Sequence, residues 1–204
     1  MTLTGYNLIN LTDMVDELGQ DFVKEKLSEF SCPQNRDVEY FLRSKALEFS
    51  IQGLSKTHLV YTSYKDMPVL IGYFTLCSKV LSVPKKSLSR GYRDRIHKFS
   101  QDDRNHDSFL LTASLIAQLG KNFHKDYNQL ITGDELLCLA LDKLSSIRHE
   151  IGGSKIVYLE CEDTPKLVKF YSDNGFVKFG NRSLDKDEED RFKGRELVQM
   201  MRYM

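Results

Sequence analysis

Near the start of the chain, Met14, Val15, Leu18, Phe22, Leu27 and Phe30 recur at helical spacing behind Thr12-Asp13, a capping pair. The spacing predicts one helix, broken at Ser31-Cys32-Pro33. A second is expected from about Arg36, with Val38, Phe41, Leu42, Ala46 and Phe49 on one face and Gly53 as its stop. The period then changes to extended. THLVYTSY (57–64) is rich in β-branched and aromatic residues, Lys65 to Pro68 read as a turn, and VLIGYFTLCSKVL (69–81) reads as a longer strand. Strands so close in sequence are expected to form an antiparallel hairpin.

After Pro84 the pattern turns basic, with Lys85, Lys86, Arg90, Arg93, Arg95 and Lys98 against Asp94. A helix or an excursion is expected over about 84–107, ending in the hydrophilic QDDRNHD. FLLTASLIAQLG (109–120) suits a buried central strand, KNFHKDYNQLITG a polar loop, and the leucines from Leu136 to Leu144 a helix beginning near Asp134 and stopped by Gly152-Gly153. KIVYLEC is the next strand, and Thr164-Pro165 opens a helix with Pro165 at its first position. That helix runs through LVKFYSDNGF (167–176), where Asn174-Gly175 is a stop, because glycine reaches the left-handed conformation without a Cβ penalty. VKF, an acidic loop from Asp185 to Asp190 and a closing strand ELVQMMRY follow. The order α-α-β-β-(α)-β-α-β-α-β-β indicates a single α/β domain with a mixed central sheet flanked by helices.

Composition narrows the function classes. The 204 residues carry 29 basic and 29 acidic side chains, so no net field directs the chain to nucleic acid or an anionic membrane. The first residues lack the pattern of a signal peptide, and no apolar run approaches the ~20 residues of a membrane span. Cys32, Cys77, Cys138 and Cys161 stand singly and the histidines are scattered, so neither a metal site nor a disulfide framework is expected. The expectation is a reduced, soluble, cytoplasmic protein without a membrane partner.

The second half resembles the GNAT acyltransferase superfamily, whose members transfer an acetyl group from acetyl-CoA to an amine. The resemblance rests on LIAQLG leading through a loop to ITGDELLCLAL, then IVYLEC, TPKLVKFY and NGF, in that order. FSC, DVEYFLRSKALEFS, GLSKTHLVY and LIGYFTLC add a likeness to the branch that contains the acetyltransferases of toxin–antitoxin pairs. The family's glycine-rich phosphate loop is altered here. Asn128, Gln129, Leu130, Ile131, Thr132 and Gly133 stand at its positions, and only the last is glycine.

The resemblance implies acetyl-CoA as acyl donor and no metal. It implies that the amides of Gln129, Leu130, Ile131, Thr132, Gly133 and Asp134, at a helix N-terminus, hold the pyrophosphate. The strand end Leu119, Gly120 and Lys121 is implied to receive the pantetheine arm and the thioester oxygen. Tyr171 is the implied general acid, whereas its place in an apolar ridge alone reads as packing. Glu160 is the best carboxylate for a base, with Glu162 and Asp163 just beyond it, although solvated strand ends account for all three and the amine can lose its proton to water. Thr164 stands where members place a CoA contact, and also where a helix cap belongs. Cys161 as an acyl-accepting nucleophile, and His124 and Lys125 as phosphate contacts, are weaker readings. The acceptor that the resemblance implies is a primary amine. The narrower alternative is the α-amino group of aminoacyl-tRNA, with an antitoxin as partner and the basic run holding phosphates; the other alternative is a silent acyl-CoA-binding domain. A homodimer through the edge of ELVQMMRY completes the expectations.

Overall fold

A computed structural model describes residues 5–186, 190, 192 and 194–204. The acidic loop expected over 185–190 falls in part outside them. In chain order, β1 (Asn7–Asn10), α1 (Leu11–Leu18), α2 (Gln20–Ser28), α3 (Arg36–Ser44) and α4 (Ala46–Ile51) lead into β2 (Lys56–Tyr64) and β3 (Met67–Pro84). α5 (Arg90–Ile96), β4 (Gln101–Asp103), β5 (Ser108–Lys121) and α6 (Gly133–Ile151) follow. β6 (Ile156–Glu162), α7 (Pro165–Asp173), β7 (Val177–Ser183) and β8 (Glu196–Tyr203) close the chain. The mixed sheet has eight strands in the order β1-β2-β3-β5-β6-β8-β7, with β4 paired to β5. The chain packs as two compact units, residues 1–77 with 116–146 and residues 78–115 with 147–204.

In the first unit, the expected N-terminal helix is two. Gly19, at φ 81°, separates α1 from α2, and the cap of α1 is Asn10, whose side chain accepts from the Thr12 amide at 2.9 Å. The second expected helix is also two, because Lys45 leaves helical geometry at φ −121° between α3 and α4. β1, which carries no alternation to read, pairs antiparallel with β2 from Asn7↔Tyr61 to Asn10↔His58. The β2–β3 hairpin is tighter than expected. Lys65 and Asp66 are both left-handed (φ 52° and 60°), so the turn has two residues, and Met67 and Pro68 already pair with Tyr64 and Ser63.

Leu11, Val23, Phe30, Leu42 and Leu59 are fully or almost fully buried in the core of this unit, each worth about 1.5–3 kcal/mol. Tyr73 joins them by stacking edge-on against Phe30 and donating its hydroxyl to the Val38 carbonyl at 2.6 Å. Gly120, buried on β5, faces α3, and a Cβ there would collide with the Val38 side chain. Gly120→Ala is therefore expected to lower unfolding stability by about 1–3 kcal/mol, read as a fall in the urea midpoint. A midpoint equal to that of the unsubstituted chain would show that α3 yields freely.

In the second unit, β6 pairs with β5 in parallel over two residue pairs, Ser114↔Val157 and Leu115↔Tyr158. β8 pairs antiparallel with β6 along seven residues, from Ile156↔Tyr203 to Glu162↔Leu197, and with β7 on its other side. ELVQMMRY is thus an interior strand with no free edge, which corrects the dimer expectation built on it. Within the expected excursion, the hydrophilic QDDRNHD forms β4 and a hairpin, with the Asp103 carboxylate accepting from the amides of Asn105 and His106. Its polar side chains hid the strand. Val83, Ile96, Phe109, Ala113, Ile156, Tyr158 and Met201 form the core. Among the described residues, no helix is long and apolar enough to cross a membrane.

Candidate active site

Tyr171 sits on the last turn of α7 in the second unit. Thr164 caps that helix by accepting from the Leu167 amide at 3.4 Å, and Pro165 takes the first turn. At the other end Asn174 is the cap residue, Gly175 is left-handed at φ 80°, and the Phe176 amide returns to the Tyr171 carbonyl at 3.0 Å. Arg202 of β8 donates to the Asn174 carbonyl at 3.0 Å and pins the turn. The phenol ring is nearly buried between Phe170 and Phe176, both edge-on. Burial, with a smaller contribution from neighbouring Cys161, raises its pKa well above the ordinary tyrosine value. Among the described residues its hydroxyl makes no hydrogen bond. Tyr171 is therefore a fixed, fully protonated phenol with an unused polar atom.

Cys161, on β6, is buried, and its thiol is pushed up to about 11 by burial and then by Asp163. A thiol so protonated is a poor nucleophile.

Glu160 is more deeply engaged than its sequence position suggests. Arg182 of β7 reaches its Oε2 through Nε at 2.9 Å and Nη2 at 2.8 Å. The Tyr158 hydroxyl donates to Oε1, Gln199 adds 3.3 Å, and Lys79 stands 3.7 Å away. Burial alone would raise the carboxyl pKa, but the hydrogen bonds from Arg182 and Tyr158 and the Lys79 charge outweigh it and hold it below the usual range. Its acceptor positions are occupied, which gives it the chemistry of a fixed anion rather than of a base. Arg182, the partner that decides this, lies 22 residues away across two strands. Only the register reveals it.

The loop before α6 belongs to the first unit. Asn122 is buried and anchors the start of the loop: its side chain accepts from Ser31 N at 3.0 Å and donates to the Leu70 carbonyl at 2.8 Å. Lys121 holds the far end by donating to the carbonyls of Asn128 (2.8 Å) and Ile131 (3.0 Å). Ile131 is buried, whereas Gln129, Thr132 and Asp134 are exposed and Leu130 is half-buried. Thr132 and Glu135 form a capping box. The Glu135 carboxylate accepts from the Thr132 amide (2.7 Å) and hydroxyl (2.8 Å), while the Glu135 amide donates back at 3.1 Å. Those bonds from Thr132, together with Tyr6 and the Lys121 charge, hold the Glu135 carboxyl below its ordinary value against a small burial penalty.

An anion at this helix start thus meets fewer main-chain donors than the six loop residues suggest, and it meets a carboxylate already in place. The T-x-x-E pattern was visible in the sequence; the Lys121 contacts were not. In the first unit the start of α6 suits a phosphate, with Glu135 now on the Thr132 amide; in the second unit the protonated phenol is a proton donor. Among the described residues, no three His, Cys, Asp or Glu side chains converge as metal ligands.

No protein-family model and no curated protein matches this chain. Solved structures do. AtaT complexed with acetyl-methionyl-tRNAfMet superposes with a TM-score of 0.62 at 14% identity, covering 95% of this chain and 93% of that one. A Tyr-to-Phe mutant of KacT gives 0.60 at 13%, covering 96% and 94%. The fold is the one these structures share. AtaTR bound with AcCoA gives 0.54 at 16%, covering 96% and 93%. At these identities the likeness is one of fold.

Proposed function

We propose that this chain transfers the acetyl group of acetyl-CoA to a primary amine, with Tyr171 as general acid. The observation that carries the reading is the buried, protonated Tyr171 hydroxyl without a hydrogen-bond partner among the described residues. One N–H of Leu119, Gly120 or Lys121 donates to the thioester oxygen and stabilises the charge that develops there. The amine lone pair forms the new C–N bond, the C–S bond breaks, and Tyr171 gives its proton to the thiolate. The amine proton leaves to water, since Glu160 is committed to Arg182 and Tyr158. The phenol regains its proton from solvent. The amides around Gly133 and Asp134 hold the pyrophosphate after Glu135 swings off Thr132.

The acceptor in this reading is the α-amino group of an aminoacyl-tRNA. Two observations support it. AtaT, which shares the fold, is solved with acetyl-methionyl-tRNAfMet, and its Tyr-to-Phe mutant with the C-terminus of the antitoxin AtaR. On this chain, Arg90 and Arg93 of α5 and Lys98 beyond it are exposed, with no ion-pair partner among the described residues. Lys85, by contrast, is tied to Asp102 and Asp107. Replacing Arg90, Arg93 and Lys98 together by Ala is expected to weaken charged-tRNA binding at least about tenfold and to reduce the salt slope by roughly 2–3. Acetyl-CoA affinity should be unchanged. An unaltered slope would remove α5 from the acceptor site.

The test of the whole reading is calorimetric titration with acetyl-CoA, beside a thiol-release assay on small amines and aminoacyl-tRNAs. Turnover on charged tRNA supports the full reading, and turnover on a small amine supports the coarser one. Binding without turnover on any acceptor gives a silent acyl-CoA domain, and absence of binding ends the proposal.

A further inference from the structure

Four of the five non-glycine residues with positive φ among those described are two Lys-Asp doublets, Lys65-Asp66 and Lys125-Asp126. Left-handed geometry costs such residues about 1 kcal/mol or more each, and it persists only where the surroundings impose it. Each doublet is flanked by aromatic rings. Tyr64 precedes the first, and His124 and Tyr127 bracket the second. The first unit brings them together: Tyr64 meets Tyr127 edge-on at 6.1 Å between ring centroids, and His124 meets Tyr127 edge-on at 6.0 Å. Tyr64 is 39% exposed at the hairpin tip, and the Lys65 ammonium stands 5.2 Å from its ring centroid.

Two features separate this cluster from ordinary surface aromatics. It is rigid, because Asn122 fixes the loop on one side of Tyr127 and Lys121 fixes it on the other. It is also continuous with the loop assigned to the pyrophosphate, since Tyr127 adjoins Asn128. Charge says which part of a ligand it takes. Asp66 and Asp126 offset Lys65 and Lys125, so the patch has no surplus to hold a phosphate, whereas a ring face not taken by the Lys65 ammonium or by a neighbouring ring edge suits a neutral ring.

We propose that Tyr64, His124 and Tyr127 form a stacking platform for a nucleobase, next to the phosphate loop. This rests on the acetyltransferase reading, under which two bases are at hand: the adenine of CoA and an unpaired base at the tRNA 3′ end. The full chain is titrated with acetyl-CoA, 3′,5′-ADP, S-acetyl-4′-phosphopantetheine and the trinucleotide CCA, alongside Tyr64→Ala, Tyr127→Ala and Tyr127→Phe. The Ala variants are expected to weaken the base-bearing ligand about tenfold, and Tyr127→Phe to stay within about twofold, with melting temperatures near that of the unsubstituted chain.

Loss confined to acetyl-CoA and 3′,5′-ADP, sparing the phosphopantetheine donor, supports the platform with the cofactor's adenine on it. Loss confined to CCA supports it with the RNA base. Ala variants that bind every ligand as the unsubstituted chain does would overturn it. Failure of the unsubstituted chain to bind acetyl-CoA counts against the acetyltransferase reading instead, and the 3′,5′-ADP and CCA arms then decide the platform alone.

Discussion

Tyr171→Phe is expected to lower kcat by about 10²–10⁴ while leaving acetyl-CoA affinity within about threefold. The reasoning starts from burial. The ring lies between Phe170 and Phe176, so removing one oxygen leaves its packing intact. The hydroxyl holds no hydrogen bond among the described residues, so the variant orphans no buried partner and should melt near the unsubstituted chain. What disappears is a proton held ready for a leaving thiolate. Burial raises the pKa of the phenol, but a thiolate forming in the same dry surroundings is raised as well, so the transfer is not defeated. Steady-state kinetics on the acceptor found by the panel, with calorimetry on the same samples, checks it. A variant with undiminished kcat would take Tyr171 out of the chemistry and return it to packing, the role its apolar ridge alone suggests.

Local signals carried much of this arrangement. The bounds of ELVQMMRY match β8 residue for residue, and Asn174-Gly175 marks the end of α7 because its geometry needs a left-handed residue there. Where the sequence misled, the deciding contact was non-local or the expected residue was absent. Gly19 breaks the first helix even though the apolar period continues through Phe22 and Leu27, and nothing about Lys45 announces a break. Lys65-Asp66 makes a turn that ordinarily calls for asparagine or glycine, which is why Met67 and Pro68 were read as turn rather than strand.

The site divides in the same way. The position of Tyr171 on the last turn of a helix was legible because a helix stop follows it. The state of Glu160 was not, since it depends on Arg182 and Gln199 arriving from neighbouring strands. The altered phosphate loop was read as lost glycine. Its side chains show a different device, a capping box that sets Glu135 on the Thr132 amide at the start of α6. Gly120 illustrates a third case. A glycine in a buried strand is ambiguous until Val38 is seen against it.

Acid is expected to destabilise the first unit through His58, and the sign can be worked out. His58 lies on β2, 4% exposed, with its ring 5.2 Å from that of Phe74. Burial, and after it the positive charge of Lys143, lowers its pKa from 6.5 to about 4, with Asp13 opposing and Lys56 adding a little. The folded chain therefore keeps His58 neutral where the unfolded chain would protonate it. Stability from this group is complete above pH 6.5 and is lost as the pH falls towards 4, by about 3 kcal/mol at the limit. Urea unfolding of the unsubstituted chain and of His58→Leu, each at pH 7 and pH 4.5, isolates it. The drop in stability between the two pH values should be smaller in the variant by roughly 2–3 kcal/mol, because carboxylates elsewhere titrate equally in both. Equal drops would mean that water reaches the ring and that His58 titrates as an ordinary histidine. The same pair of proteins separates chemistry from folding in the activity profile. Tyr171 stays protonated throughout this range, so a loss of rate below pH 6 that His58→Leu relieves belongs to unfolding, and a loss that it leaves untouched belongs to protonation of the acceptor amine.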